Sequence, residues 1–198
     1  MTVNGLTRWR RPALAVAVIG ALGAGTAALL PAFADEPDGS TYYVDAGGAD
    51  SNAGAAAKSA WKTLDKVNEF DFQPGDTVLF KRGGTWNGTL KLSDDGAEGD
   101  PVTVGAYGKG EAPVFTAAEN CVEVTADNQV VEDIRTTGCD WAGIELQGSD
   151  NEVRNVQSDN NVVGVSIVDT SAGNSVTGSK LVDNNKMSVN DPGGDNDS

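Results

Sequence analysis

The stretch Asn151–Asn161, "NEVRNVQSDNN", and its near-copy Asn174–Asn185, "NSVTGSKLVDNN", decide how this chain folds. Both alternate polar and apolar residues, and both begin and end on asparagine. The motif Asn-x-Val occurs at Asn128, Asn151 and Asn174, each step being 23 residues. Aliphatic pairs upstream of it recur in step: Val122/Val124, Ile144/Leu146 and Val165/Ile167, with Gly143 and Gly164 just before the last two. A fixed period of this length marks a stack of like units, each burying its apolar face on the next.

Within a unit the period is two, as in Ile144-Glu145-Leu146-Gln147, which is a strand with one buried face. No helical pattern falls between the strands, which excludes leucine-rich and ankyrin arrays. Short strands joined by Gly/Asn/Asp corners, coiling once per period, predict an all-β chain: a parallel β-helix with rungs about 4.8 Å apart. Asn suits a left-handed corner, and its amide reaches the next rung. Asn128, Asn151 and Asn174 are therefore predicted to form a structural ladder.

Working outward, "DTVLF", "TLKLS", "PVTVGAY" and "APVF" are less regular strands upstream. "SAWKTLDKVNEF" (59–70) is the one helical pattern, with Trp61, Leu64 and Val67 three apart. It is expected to cap the N-terminal end of the stack, where open strand edges invite aggregation.

The first 34 residues resemble a cleaved secretory signal: "TRWRRP" is positive, Ala13 to Leu30 is apolar, and Ala32 and Ala34 stand before Asp35. A retained membrane span is the rival reading. The expected organisation is thus signal peptide 1–34, N-terminal strand and capping helix 35–75, and β-helix coils 76–198. Cleavage would shift the net charge from −15 to −18. So acidic a chain repels nucleic acid and anionic membranes, and repels a polyanionic polysaccharide unless a cation bridges the two. The chain has no histidine, which excludes Ser-His-Asp chemistry and the usual zinc sites. Cys121 and Cys139 are expected to form a disulfide, which an exporting compartment allows.

Tyr42 to Phe115 resembles the opening of secreted right-handed β-helix proteins of the pectate-lyase-like superfamily. The motifs that carry the likeness are "YYVDAGGADSNAG", "AWKTLDKVN", "PGDTVLFKRGGTW" and "GDPVTVGAYGKGEAPV", in that order. The resemblance implies a right-handed parallel β-helix and an extracellular polysaccharide as partner. It also implies, for some members, a Ca²⁺ ion held by acidic residues and a Lys or Arg that abstracts the proton alpha to a uronate carboxylate. It covers the cap and first rungs, and no lyase site is carried over residue by residue.

The candidate site residues come from the repeat. Glu123 and Glu145 occupy the same outward position on neighbouring rungs. Two carboxylates so placed suit a retaining glycosidase or a shared Ca²⁺, and equally a solvated face. Arg154, Lys180 and Lys186 are candidate bases or simply surface cations. Asp191, Asp195 and Asp197 in "DPGGDND" offer oxygen ligands for calcium, or a solvated loop. Trp86 and Trp141 are candidate sugar platforms, with packing on the adjacent coil as the alternative. The reading is an exported β-helix that binds or cleaves extracellular polysaccharide, with a Ca²⁺-dependent lyase as the form the resemblance implies; a non-catalytic surface scaffold and a carboxylate-pair hydrolase are the rivals. With about three regular rungs and no C-terminal cap, the chain is expected to be the first part of a longer solenoid.

Overall fold

Alternation of apolar and polar residues builds three parallel sheets, and the chain visits them in rotation. A computed structural model describes residues 39–185. The signal-like segment, Lys186, Asp191, Asp195 and Asp197 lie outside the described residues. The first sheet is formed by β1 (Thr41–Val44), β2 (Thr77–Lys81), β5 (Val102–Tyr107), β8 (Gln129–Glu132), β11 (Glu152–Arg154) and β14 (Ser175–Thr177). The second holds β3 (Thr85–Asn87), β6 (Val114–Thr116), β9 (Arg135–Thr137), β12 (Gln157–Asp159) and β15 (Lys180–Val182). The third holds β4 (Leu90–Leu92), β7 (Val122–Val124), β10 (Ala142–Leu146) and β13 (Val163–Ile167). The ladders within all three sheets are parallel. The chain is a parallel β-helix, and its irregular upstream strands share sheets with the regular ones.

Each sheet points alternate side chains into the core as in-register columns. In the first, Val78, Val104, Val131 and Val153 stack in register and are all buried. In the third, the columns are Leu90-Val122-Ile144 and Leu92-Val124-Leu146. The second sheet's column changes character: buried Trp86 and Phe115 give way to Thr136 and Ser158. There the Thr136 hydroxyl bonds to Ser158 Oγ at 2.9 Å, and Ser158 Oγ donates to the carbonyl of Gly164, so the buried hydroxyls are satisfied.

The asparagine ladder is real but displaced by one residue. Asn151 Oδ1 accepts from the N–H of Gln129, not of Asn128, and Asn174 Oδ1 accepts from the N–H of Asn151. The period is not constant, since Val153 faces Val131 across 22 residues and Val176 across 23. Gln129 takes the ladder position, fully buried, and its Nε2 donates to the carbonyls of Asp94 and Asp127. Asn128 instead occupies the left-handed corner at φ 53°, as do Asp150 and Gly173 on the coils that follow. A second ladder runs through Asn161 and Asn184.

The cap is shorter than its pattern. Helix α1 spans only Leu64–Asn68, with the Thr63 side chain accepting from Lys66 N–H at its start. Trp61 is not helical: it forms a parallel bridge with Val44. The apolar stripe of Trp61, Leu64 and Val67 is nevertheless buried. Capping is done by side chain and backbone. Asn68 donates to Thr89 C=O and accepts from Lys91 N–H, occupying the open edge of β4. The carbonyl of Lys62 accepts from the indole of Trp86 on β3, the terminal strand of its sheet.

Candidate functional site

The outward residues of the third sheet form one column: Lys91, Glu123, Glu145 and Ser166, in register from β4 to β13. They point outward because the flanking residues on each of β4, β7 and β10 are buried aliphatics. Two corners rise beside the column. One precedes β7 and carries Glu119 and Asn120; the other precedes β10 and carries Trp141. Together with Thr89 they enclose a cleft of about 460 Å³. Trp141 is 41% exposed, so its ring presents an accessible apolar surface on the cleft.

The two glutamates are held by amides. Gln147 Nε2 donates to Glu145 Oε2 at 2.7 Å and to Glu123 Oε1 at 3.3 Å. Asn120 Nδ2 also donates to Glu145 Oε2, at 3.0 Å, while Asn120 Oδ1 accepts from the N–H of Ala142. The corners are joined as well. Asp140 N–H donates to Ala118 C=O and Trp141 N–H to Glu119 C=O, each at 2.8 Å. Cys121 and Cys139 form a disulfide between the same two corners.

The candidates from the sequence are divided among three faces. Glu123 and Glu145 come together with Trp141 on the third sheet. Arg154 lies on the first sheet, paired with Glu132 at 2.6 Å and Glu152 at 3.0 Å. The hydrogen bond to Glu132 raises the Arg154 pKa further, so this guanidinium is held protonated. Lys180 is exposed on β15, the terminal strand of the second sheet, opposite Gln157. Trp86 is a core residue, packed edge-on to Phe80 and stacked with Phe115. Among the described residues, no group of three or more His, Cys, Asp or Glu side chains is placed to hold a metal ion. Glu119, Glu123 and Glu145 are accordingly not gathered into such a group.

Lys91, Asn120, Glu119 and Gln147 were not legible as site residues. Lys91 is separated by 32 residues from Glu123, its neighbour in the column, because the intervening coil is enlarged. The repeat that relates Glu123 to Glu145 does not reach it. The "LKL" alternation was the available signal, since it places Lys91 outward between two buried leucines.

The three parallel sheets define a parallel β-helix protein, with the cleft on the outer face of its third sheet. No family model matches the chain. It is 36% identical over 127 residues to a lacto-N-biosidase of Bifidobacterium longum subsp. longum, covering 55% of this chain and 8% of that protein. Among solved structures it resembles pectate lyase Pel9A, with a TM-score of 0.62 and 24% identity, over 72% of this chain and 40% of that one. It also resembles the GH136 lacto-N-biosidase from Eubacterium ramulus, with a TM-score of 0.56 and 18% identity, over 71% of this chain and 34% of that one. The chain thus spans less than a tenth of the curated relative and well under half of either solved chain.

Proposed function

We propose that this chain is part of an exported glycan-active protein, and that its cleft binds a neutral sugar chain for hydrolysis by Glu123 and Glu145. The observation that carries the reading is the in-register carboxylate pair beside an exposed tryptophan. Neighbouring strands lie about 4.8 Å apart, close to the roughly 5 Å between the carboxyls of retaining glycosidases. In that chemistry one group, as its carboxylate, attacks the anomeric carbon while the other, as its carboxylic acid, gives its proton to the departing glycosidic oxygen. Water, deprotonated by the second group, then cleaves the glycosyl ester and restores both residues. Asn120 and Gln147 orient the pair, and the Trp141 ring offers a face for a sugar to stack on.

The charge of the cleft favours neutral sugars. Among the described residues lining the cleft, Glu119, Glu123 and Glu145 face one cation, Lys91, so a uronate chain would meet net repulsion. The name of the Bifidobacterium relative points to hydrolysis in the same direction. Export is supported by the signal-like opening and by the disulfide, a bond suited to oxidising compartments.

Lys91 favours a second reading, elimination on a uronate, because it sets a basic side chain in the cleft beside Glu123. The deciding experiment is a panel of neutral and uronate oligosaccharides, with and without added Ca²⁺. Hydrolysis gives new reducing ends without the absorbance of an unsaturated uronate; elimination gives both. Neither product, with saturable binding retained, would point to a non-catalytic glycan-binding scaffold.

A further inference from the structure

Successive coils meet at the corner between the second and third sheets, and two of the junctions there are held by asparagine. Asn161 Oδ1 accepts from the N–H of Cys139, and Asn184 Oδ1 from the N–H of Asn161. At Cys139 the side chain instead enters the disulfide with Cys121, and both residues are inaccessible to solvent. The covalent bond thus falls between the two corners that build the cleft. Glu119 and Asn120 immediately precede Cys121, and Trp141 is two residues beyond Cys139. Backbone bonds tie the same corners together, from Trp141 N–H to Glu119 C=O and from Cys121 N–H to Ala142 C=O.

We infer that the Cys121–Cys139 disulfide is a positioning element of the cleft. It holds the corner bearing Trp141 against the corner bearing Asn120, and Asn120 holds Glu145 through its amide. The inference rests on reading the cleft as the functional surface, but it concerns the local rigidity of that surface and not the identity of its ligand.

Amide hydrogen exchange tests it without any glycan, so its failure is separate from failure of the glycan reading. Two variants of the whole chain are compared with the oxidised protein: Cys121→Ala/Cys139→Ala, and Cys121→Ala/Cys139→Asn, which extends the asparagine ladder by one coil. In both, exchange at Asp140, Trp141 and Ala142 is expected to accelerate by about tenfold or more, as for a locally opening unit. The amides of Val131 and Val153 on the first sheet are expected to keep their protection. Equal loss of protection at all five positions, or failure of both variants to fold, would make the disulfide a general stabiliser and overturn the inference. Unchanged exchange at the corner in the Cys139→Asn variant would overturn it equally.

Discussion

Glu123 and Glu145 stand directly opposite each other on adjacent parallel strands, and one amide, Nε2 of Gln147, donates to both. Like charges placed opposite each other weaken a sheet. The pairing is therefore costly to stability, and the cost is placed at the cleft.

It follows that Glu145→Gln is expected to raise stability slightly, by a few tenths to about 1 kcal/mol. Its new amide carbonyl still accepts from Asn120. Urea denaturation of the variant beside the unaltered chain measures the difference. A loss of more than about 1 kcal/mol would show that the glutamate is there to hold the fold.

Burial sets a second contrast, within one strand. Val153 is fully buried in the first sheet's column, whereas Glu152 is outward and pairs with Arg154 on the surface. Val153→Asp is expected to cost several kcal/mol, because it buries an unpaired charge among aliphatics. Glu152→Ala is expected to cost under about 0.5 kcal/mol. Similar melting shifts for the two would contradict the assigned alternation.

These contrasts show what could be read ahead of the structure. Period-two alternation identified the buried faces of β10 and β11, because an in-register stack repeats the same apolar columns. The register itself was misjudged at Asn128, where the repeat shortens to 22 residues and Gln129 substitutes a longer amide for asparagine. The helix was over-extended because a buried stripe at three-residue spacing arises just as well from a bridge at Trp61 followed by one helical turn and a half. Half of the cleft was visible as Glu123, Glu145 and Trp141. Lys91 was not, since an enlarged coil separates it in sequence from the strand it adjoins in space.

The two tryptophans offered as sugar platforms are expected to separate cleanly. Trp141→Ala should weaken binding of a neutral oligosaccharide by about tenfold or more, some 1.4 kcal/mol, with little change in melting temperature. Trp86 is 5% exposed and packs on Phe80 and Phe115. Trp86→Ala should instead cost about 3–5 kcal/mol of stability. Calorimetric titration together with thermal melts of both variants checks the assignment, and a reversal of the two effects would refute it.

Acid sensitivity is expected to centre on Asp159. The Arg135 guanidinium, bonded to it at 2.8 and 2.9 Å, holds the carboxyl at about 2, with Thr137 and Gln157 adding donors against the opposing effect of burial. Because its folded pKa lies below the unfolded value of about 3.9, the bonded carboxylate contributes stability that is fully present above that value. The contribution is lost as pH falls through about 2. The stability gap between the unaltered chain and Asp159→Asn should therefore narrow as pH drops from about 5 toward 2. A gap constant over that range, measured by urea midpoints, would contradict the role given to this group.

The central claim is that Glu123 and Glu145 act as a pair on a neutral glycan in the cleft, and release of reducing ends tests it most directly. The unaltered chain, Glu123→Gln and Glu145→Gln are assayed side by side on a panel of neutral oligosaccharides. The account predicts release by the unaltered chain, a loss of about 100-fold or more in each variant, and oligosaccharide binding that persists in both. Release that survives either substitution, or its absence from the unaltered chain across the panel, would contradict it.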